Sequence, residues 1–272
     1  MLGLFDSGLG GLTVLRRLRD AVPAADMLYY ADQAHVPYGE RSADDLLRLL
    51  HHNLGWLDAR GVDAIVMACN TSCGVADRYG WPPVSVPVLD LIDSAAQAVE
   101  RTGLLRVGVI ATTATVRSGA YGRHIVRRMP TARVVEVDAP ALVPLVEAGE
   151  LHGDAPRRAV QAVCDLLPRD VEAVVLACTH YPLLDEHFAA VLGTGVLRID
   201  PAIVQAERAA QLLSERGRLT GSGTLECVTT GDLDRFRENL GIMLPDLLVH
   251  VRHADAAELY DTISNASAVP ET

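Results

Sequence analysis

Lysine is absent from this sequence: all 24 basic residues among its 272 are arginine. No internal aldimine with pyridoxal phosphate can therefore form, which removes the commonest protein route to an amino-acid carbanion. Positive charge is scarce against 35 acidic residues, leaving a formal net charge of −11. Such a chain repels phosphate backbones and anionic lipid, so neither nucleic acid nor a membrane surface is an expected partner. A dicarboxylate would be repelled as well, unless local donors hold it. No apolar run approaches the ~18 residues of a membrane span. The opening Met1-Leu2-Gly3-Leu4-Phe5 reads as a strand rather than a basic leader with a cleavage site, so the expected location is cytoplasmic. Cysteine is sparse and odd in number, with Cys69, Cys73, Cys164, Cys178 and Cys227 scattered too widely to staple a chain of this size. Free thiols are expected. Cys69 and Cys73 stand one helical turn apart, but two sulfurs without a second pair make no zinc site. Neither a metal nor a cofactor is expected.

What is present is the composition of a well-packed enzyme, 49% hydrophobic and 22% charged. Its length suits two α/β lobes of about 100 to 150 residues each. Short apolar runs such as Ile65-Val66-Met67-Ala68 and Val107-Gly108-Val109-Ile110 alternate with amphipathic stretches. Helices are predicted over 44–58, where Leu46, Leu47, Leu49, Leu50, Leu54 and Leu57 share a broad face, and over 156–167. This alternation predicts mostly parallel sheets flanked by helices.

The chain also echoes itself. Val62-Asp63-Ala64-Ile65-Val66-Met67-Ala68-Cys69 matches Val171-Glu172-Ala173-Val174-Val175-Leu176-Ala177-Cys178, apolar for apolar and acid for acid. Gly3-Leu4-Phe5-Asp6-Ser7 likewise matches Gly108-Val109-Ile110-Ala111-Thr112, at nearly the same distance before each cysteine. Two strands recurring in order imply duplicated lobes related by a pseudo-two-fold, with the active site in the cleft between them. A helix-like stretch breaks at Gly103, placing the first lobe at 1–95 and 208–272 and the second at 96–207. The tail, with strands expected at Cys227-Val228-Thr229 and Leu247-Leu248-Val249, is too small to stand alone and should return to the first lobe.

Ligands of open parallel sheets bind outside the carboxyl ends of the strands. The polar residues there are Asp6, Ser7, Asp32, Cys69, Asn70, Thr71, Thr112, Thr115, Cys178, Thr179 and His180. The repeat sets Cys69 and Cys178 on facing walls. Inverting an α-carbon requires removing a proton from one face and returning one to the other, and a thiolate opposite a thiol suits that task. A free thiol titrates near ~8.5, so each needs a helix N-terminus or a donor such as histidine. Asn70-Thr71 and Thr179-His180 read as such helix starts. Other readings stand beside these. Cys73, Cys164 and Cys227 read as small buried hydrophobes, and Asp6 could simply cap the helix that follows. His180 alone could be a core histidine, although its place directly after Cys178-Thr179 favours function. Glu147 reads on physical grounds as a surface acid. The run Gly8-Leu9-Gly10-Gly11 lacks dinucleotide-loop spacing but permits close backbone approach to a carboxylate.

Taken in order, Asp6-Ser7-Gly8-Leu9-Gly10-Gly11, Pro37-Tyr38-Gly39-Glu40, Ala68-Cys69-Asn70-Thr71 and Ala177-Cys178-Thr179-His180-Tyr181-Pro182 resemble the motif set of the glutamate racemase family, within the aspartate/glutamate racemase superfamily. The resemblance implies that Cys69 and Cys178 are catalytic thiols, with Asp6 assisting the first and His180 and Glu147 the second. It further implies that Ser7, Pro37, Tyr38, Gly39, Asn70, Thr71, Thr112, Thr115 and Thr179 hold the amino acid. It implies a homodimer that needs no cofactor and supplies D-glutamate for peptidoglycan. With no arginine among these positions, a small pocket rich in neutral donors is expected. One departure is Ser72-Cys73-Gly74, where members more often carry alanine-rich sequence. Rival readings are a sister reaction on aspartate, a hydantoin or maleate, and a regulator that binds an amino acid without turnover.

Overall fold

A strand buried on both faces carries an unbroken apolar run instead of alternation, and the apolar runs of this sequence become parallel strands. The structure, a computed structural model, describes residues 1–247 and 249–254, so the part of the first lobe expected at 255–272 lies outside the described residues. Strand β1 (Leu2–Asp6) leads into α1 (Leu12–Ala21), β2 (Met27–Ala31) into α2 (Ala43–Asp58), and β3 (Ala64–Met67) into α3 (Asn70–Tyr79). Next come β4 (Val88–Leu89), α4 (Leu91–Thr102), β5 (Arg106–Ala111), α5 (Thr113–Ser118), α6 (Ala120–Arg128) and β6 (Arg133–Asp138). Then follow α7 (Leu142–Glu147), α8 (Asp154–Cys164), β7 (Ala173–Ala177), α9 (Asp185–Leu192), β8 (Leu197–Ile199) and α10 (Pro201–Glu215). Strand β9 (Leu225–Thr229), α11 (Leu233–Met243) and β10 (His250–His253) close the described chain.

The strands form two sheets, ordered β10-β9-β2-β1-β3-β4 and β6-β5-β7-β8. Removing β9 and β10 leaves the same topology twice, and the duplication extends to register. Gly3 pairs with Ile65 across β1 and β3, and Gly108 pairs with Val174 across β5 and β7, the positions matched by the sequence echo. A Cβ on Gly3 would sit 3.0 Å from Val62, and one on Gly108 would sit 3.4 Å from Val171, the equivalent valine. Asp63 binds the Met1 amine, while Glu172 accepts from the Leu105 and Arg106 amides at the matching corner. Each lobe thus closes its central strand pair with the same glycine, valine and acid.

Helix α2 forms because Ser42 caps it, accepting from Asp45 N at 3.1 Å, and because Leu46, Leu50, Leu54 and Leu57 bury one stripe. Leu47 and Leu49 flank that stripe half-buried. The helix predicted over 156–167 starts earlier, at Asp154, which puts Pro156 in the first turn, where its missing N–H leaves no bond broken. It ends at Cys164, and Leu167 closes the following turn by donating its N–H to Cys164 O at 3.0 Å. The strand expected around Leu247 and Val249 forms instead at His250–His253, with Leu248 outside the described residues. Leu247 and Val249 pack on the core rather than joining the ladder.

The lobes are tied by the helices that follow β4 and β8. Helices α4 and α10 pack on each other, and buried Gln205 of α10 donates to Met67 O at 2.8 Å and Leu89 O at 3.0 Å. Arg128 of α6 bonds Asp93 and Glu100 of α4. The boundaries drawn at residues 95 and 208 therefore fall inside these two bridging helices. Among the described residues, no helix is long and apolar enough to cross a membrane.

Candidate active site

Strand ends β1, β2 and β3 face strand ends β5, β6 and β7 across a cavity of about 640 Å³ that both Cys69 and Cys178 line. Asp6, Ser7, Pro37, Tyr38, Gly39, Asn70, Thr71, Thr112, Glu147, Thr179 and His180 line it too. Thr115 does not. It is fully buried behind Thr112, with the two hydroxyls 2.9 Å apart, because Thr112 caps α5 and Thr115 occupies its first turn.

Cys69 is 4% exposed and stands at the N-cap of α3, so the helix start expected there is present. Its Sγ lies 3.7 Å from Ser7 Oγ, and Ser72 Oγ donates to it at 3.2 Å. Burial pushes this thiol up to about 11, the Asp6 carboxylate adds to the rise, and hydrogen bonding with Ser72 and Ser7 opposes it. Asp6 is itself buried, which raises its pKa against the charge of His180. The carboxylate accepts from Gly8 N at 3.1 Å and Gly11 N at 2.8 Å. Asp6 thus folds the glycine turn onto itself, and those amides serve it rather than a ligand. A Cβ on Gly10 would come within 2.5 Å of His180 Nδ1 and Thr179 Oγ1, so the second lobe requires glycine there, while at Gly11 the constraint is Asp6 and Tyr29 of its own lobe, at 2.6 and 2.7 Å.

The second thiol is served differently. Cys178 is followed by a 3-10 turn over Tyr181–Leu184 rather than the expected α-helix, since Pro182 cannot donate and the local bonds close over three residues. Its Sγ lies 3.7 Å from His180 Nδ1, whose Nε2 lies 2.6 Å from Glu147 Oε1. Burial pulls His180 down, but hydrogen bonds with Cys178 and Glu147 and their charges outweigh it and lift the imidazole to about 10. Burial likewise raises Glu147, and the pairing with His180, aided by Arg235, leaves it below its ordinary value. Glu147, a surface acid on physical grounds alone but a partner of the second thiol by the resemblance, braces this histidine from the end of α7. The result is an imidazolium beside one sulfur and two hydroxyls beside the other.

The remaining polar groups are ordered by neighbours. Tyr121 OH donates to Asn70 Oδ1, leaving the amide NH₂ as that side chain's donor. Thr71 Oγ1 and Thr112 Oγ1 are 3.3 Å apart, a contact between lobes. Tyr38 is 3% exposed, and its hydroxyl donates to Asp32 Oδ2 at 2.5 Å, so what it offers a ligand is ring surface. Asp32 also accepts from Thr230 and Asn53 and bonds His35, and so anchors the segment carrying Pro37, Tyr38 and Gly39.

The expectation of a small pocket without arginine is corrected by Arg117 of α5 and Arg235 of α11, which both line the cavity. Gln33 and Val143 line it as well. No sequence signal marked these positions. An arginine on an amphipathic helix looks like any solvated one, and α11 reaches the cavity only because β9 returns to pair with β2. Among the described residues no group of three or more His, Cys, Asp or Glu could hold a metal ion.

Known proteins are similar to this chain in sequence and fold. The family model for Asp/Glu/Hydantoin racemase matches residues 8–209. A glutamate racemase of Synechococcus sp. (strain CC9605) is 44% identical over 221 residues, which span 81% of this chain and 82% of that protein. The crystal structure of glutamate racemase from Thermus thermophilus in complex with β-chloro-D-alanine is similar at a TM-score of 0.83 and 36% identity, covering 94% of this chain and 97% of that one. The glutamate racemase of Francisella tularensis subsp. tularensis SCHU S4, solved in complex with D-glutamate, is similar at 0.83 and 29% identity, covering 93% and 97%. With two thiols at matched strand ends and this likeness over nearly its whole length, the chain belongs to the Asp/Glu/hydantoin racemase family.

Proposed function

We propose that this protein interconverts L- and D-glutamate by α-proton transfer between Cys69 and Cys178, without a cofactor. The observation that carries the reading is that both thiols line one cavity from equivalent strand ends of duplicated lobes. The lobes are those formed by 1–95 with 208–272 and by 96–207. One sulfur, as thiolate, takes the α-hydrogen, and the electron pair stays on the α-carbon, conjugated with the adjacent carboxylate. The opposite thiol then donates its proton to the other face and becomes the thiolate for the reverse reaction. Asp6 assists at Cys69, and His180 with Glu147 at Cys178. Ser7, Asn70, Thr71, Thr112 and Thr179 supply donors and acceptors for the ammonium and carboxylates, while Pro37, Tyr38 and Gly39 shape the wall. Glutamate is favoured over aspartate by the names of the relatives at 33–44% identity. The protein works in the cytoplasm as a homodimer and supplies D-glutamate for peptidoglycan.

Deuterated water separates this mechanism from its rivals. Starting from L-glutamate, early D-glutamate should be almost fully deuterated at the α-carbon while remaining L-glutamate stays almost unlabelled, read by mass spectrometry of the resolved isomers. Cys69→Ala and Cys178→Ala should each abolish racemisation. Protium retained in new D-glutamate, or full racemisation by either variant, would overturn the two-thiol reading. Binding of glutamate with no α-exchange would make the protein a regulator.

A further inference from the structure

The two sulfurs differ in what stands behind them. Cys178 has the braced imidazole of His180 at 3.7 Å. Among the described residues, no hydrogen bond joins Cys69 to a histidine or arginine, and the charge that acts on it is the Asp6 carboxylate. That charge opposes a thiolate at Cys69. What offsets it is hydrogen bonding with the Ser72 hydroxyl and backbone N–H and with Ser7, and the shorter hydroxyl contact is Ser72 Oγ at 3.2 Å, against 3.7 Å for Ser7.

Ser72 is 1% exposed, in the first turn of α3, three residues after the cysteine at the N-cap. A helical serine ordinarily bonds the carbonyl one turn back; this one points its hydroxyl at the sulfur. By the duplication, the position matching Ser72 is Tyr181, whose hydroxyl goes to Ala139 O at 3.1 Å and not to Cys178. The serine contact therefore belongs to the first lobe alone, on the side that lacks a histidine.

We propose that Ser72 is a positioning residue for the α-proton transfer: its hydroxyl aims Cys69 Sγ and stabilises that sulfur as a thiolate, the service that His180 gives Cys178. The assignment rests on Cys69 being one of the two proton carriers. A hydrogen bond to a charged group is worth about a tenfold change in equilibrium or more. Ser72→Ala should keep the fold while shifting the ratio of turnover numbers in the two directions by about 10-fold. The two kcat/KM values must remain equal, since enantiomers have an equilibrium constant of one. Ser72→Thr, which keeps the hydroxyl, should restore the ratio. A second readout needs no turnover. In a Cys178→Ala background, the pH profile of Cys69 alkylation by iodoacetamide, followed by peptide mass spectrometry, should move to higher pH on adding Ser72→Ala. At a fixed pH below the midpoint the rate should fall about 10-fold. Unchanged turnover ratio and unchanged alkylation profile would overturn the role of Ser72. Racemisation surviving in Cys69→Ala would overturn the reading beneath it, and this assignment with it.

Discussion

At the scale of single residues, the two thiols are served by different chemistry, and the part of Glu147 was visible only through family resemblance. Its link to His180 spans 33 positions and depends on α7 ending where the β7 strand end arrives, which no local pattern encodes. The consequence for pH has a definite sign. His180 rises from 6.5 to about 10 in the folded protein, so the stability it contributes is fully present below pH 6.5 and is lost as pH climbs through about 10. Glu147→Gln removes part of what holds the proton. Its unfolding free energy, followed by urea titration from pH 6 to 10, should therefore start to fall at the same pH but lose less in total and level off at lower pH than in the unaltered protein. The alkaline arm of the pH–rate profile should move the same way, with turnover near pH 8 reduced about 10-fold. An alkaline arm unmoved by Glu147→Gln would show that His180 holds its proton without the carboxylate.

At the scale of elements, the turn between β1 and α1 is set by packing rather than by ligand approach. Asp6 occupies the Gly8 and Gly11 amides, and Gly10 leaves room for His180 and Thr179 from the other lobe. The glycine spacing argues against a dinucleotide loop; the reason for Gly10 lies across the cleft, and that for Gly11 in Asp6 and Tyr29 beside it. Gly10→Ala should push the His180 ring off its line to Cys178, because a Cβ at 2.5 Å cannot be accommodated while Glu147 holds the far nitrogen. A displacement near 1 Å at a reacting group costs about 100-fold in rate. Turnover should fall by that order while circular dichroism and the urea midpoint show an intact fold. Normal turnover in Gly10→Ala would mean that the two lobes part easily at this contact.

At the scale of the whole molecule, charge and cavity are at odds, since a protein of net charge −11 is to admit a dicarboxylate that is itself a net anion. Arg117 and Arg235 line the cavity, and Arg117 makes no ion pair or hydrogen bond among the described residues, so its charge remains available to an anion. Arg117→Ala should lower kcat/KM several-fold at low salt, chiefly through KM, and the deficit should shrink as salt approaches ~0.5 M, where screening removes the attraction. A deficit indifferent to salt would assign Arg117 a direct bond to substrate instead. What the sequence determined by itself was whatever depends on neighbours along the chain. Apolar runs made buried strands, Ser42 and Leu46 to Leu57 made α2, and the echo of Val62 to Cys69 in Val171 to Cys178 announced two lobes of one topology with a thiol at each matched strand end. Tertiary structure alone decided which distant groups meet. Glu147 went to His180, and two arginines from α5 and α11 to the cavity. These outcomes turn on the angle between packed helices and the return of β9 beside β2, and neither is written in any run of adjacent residues.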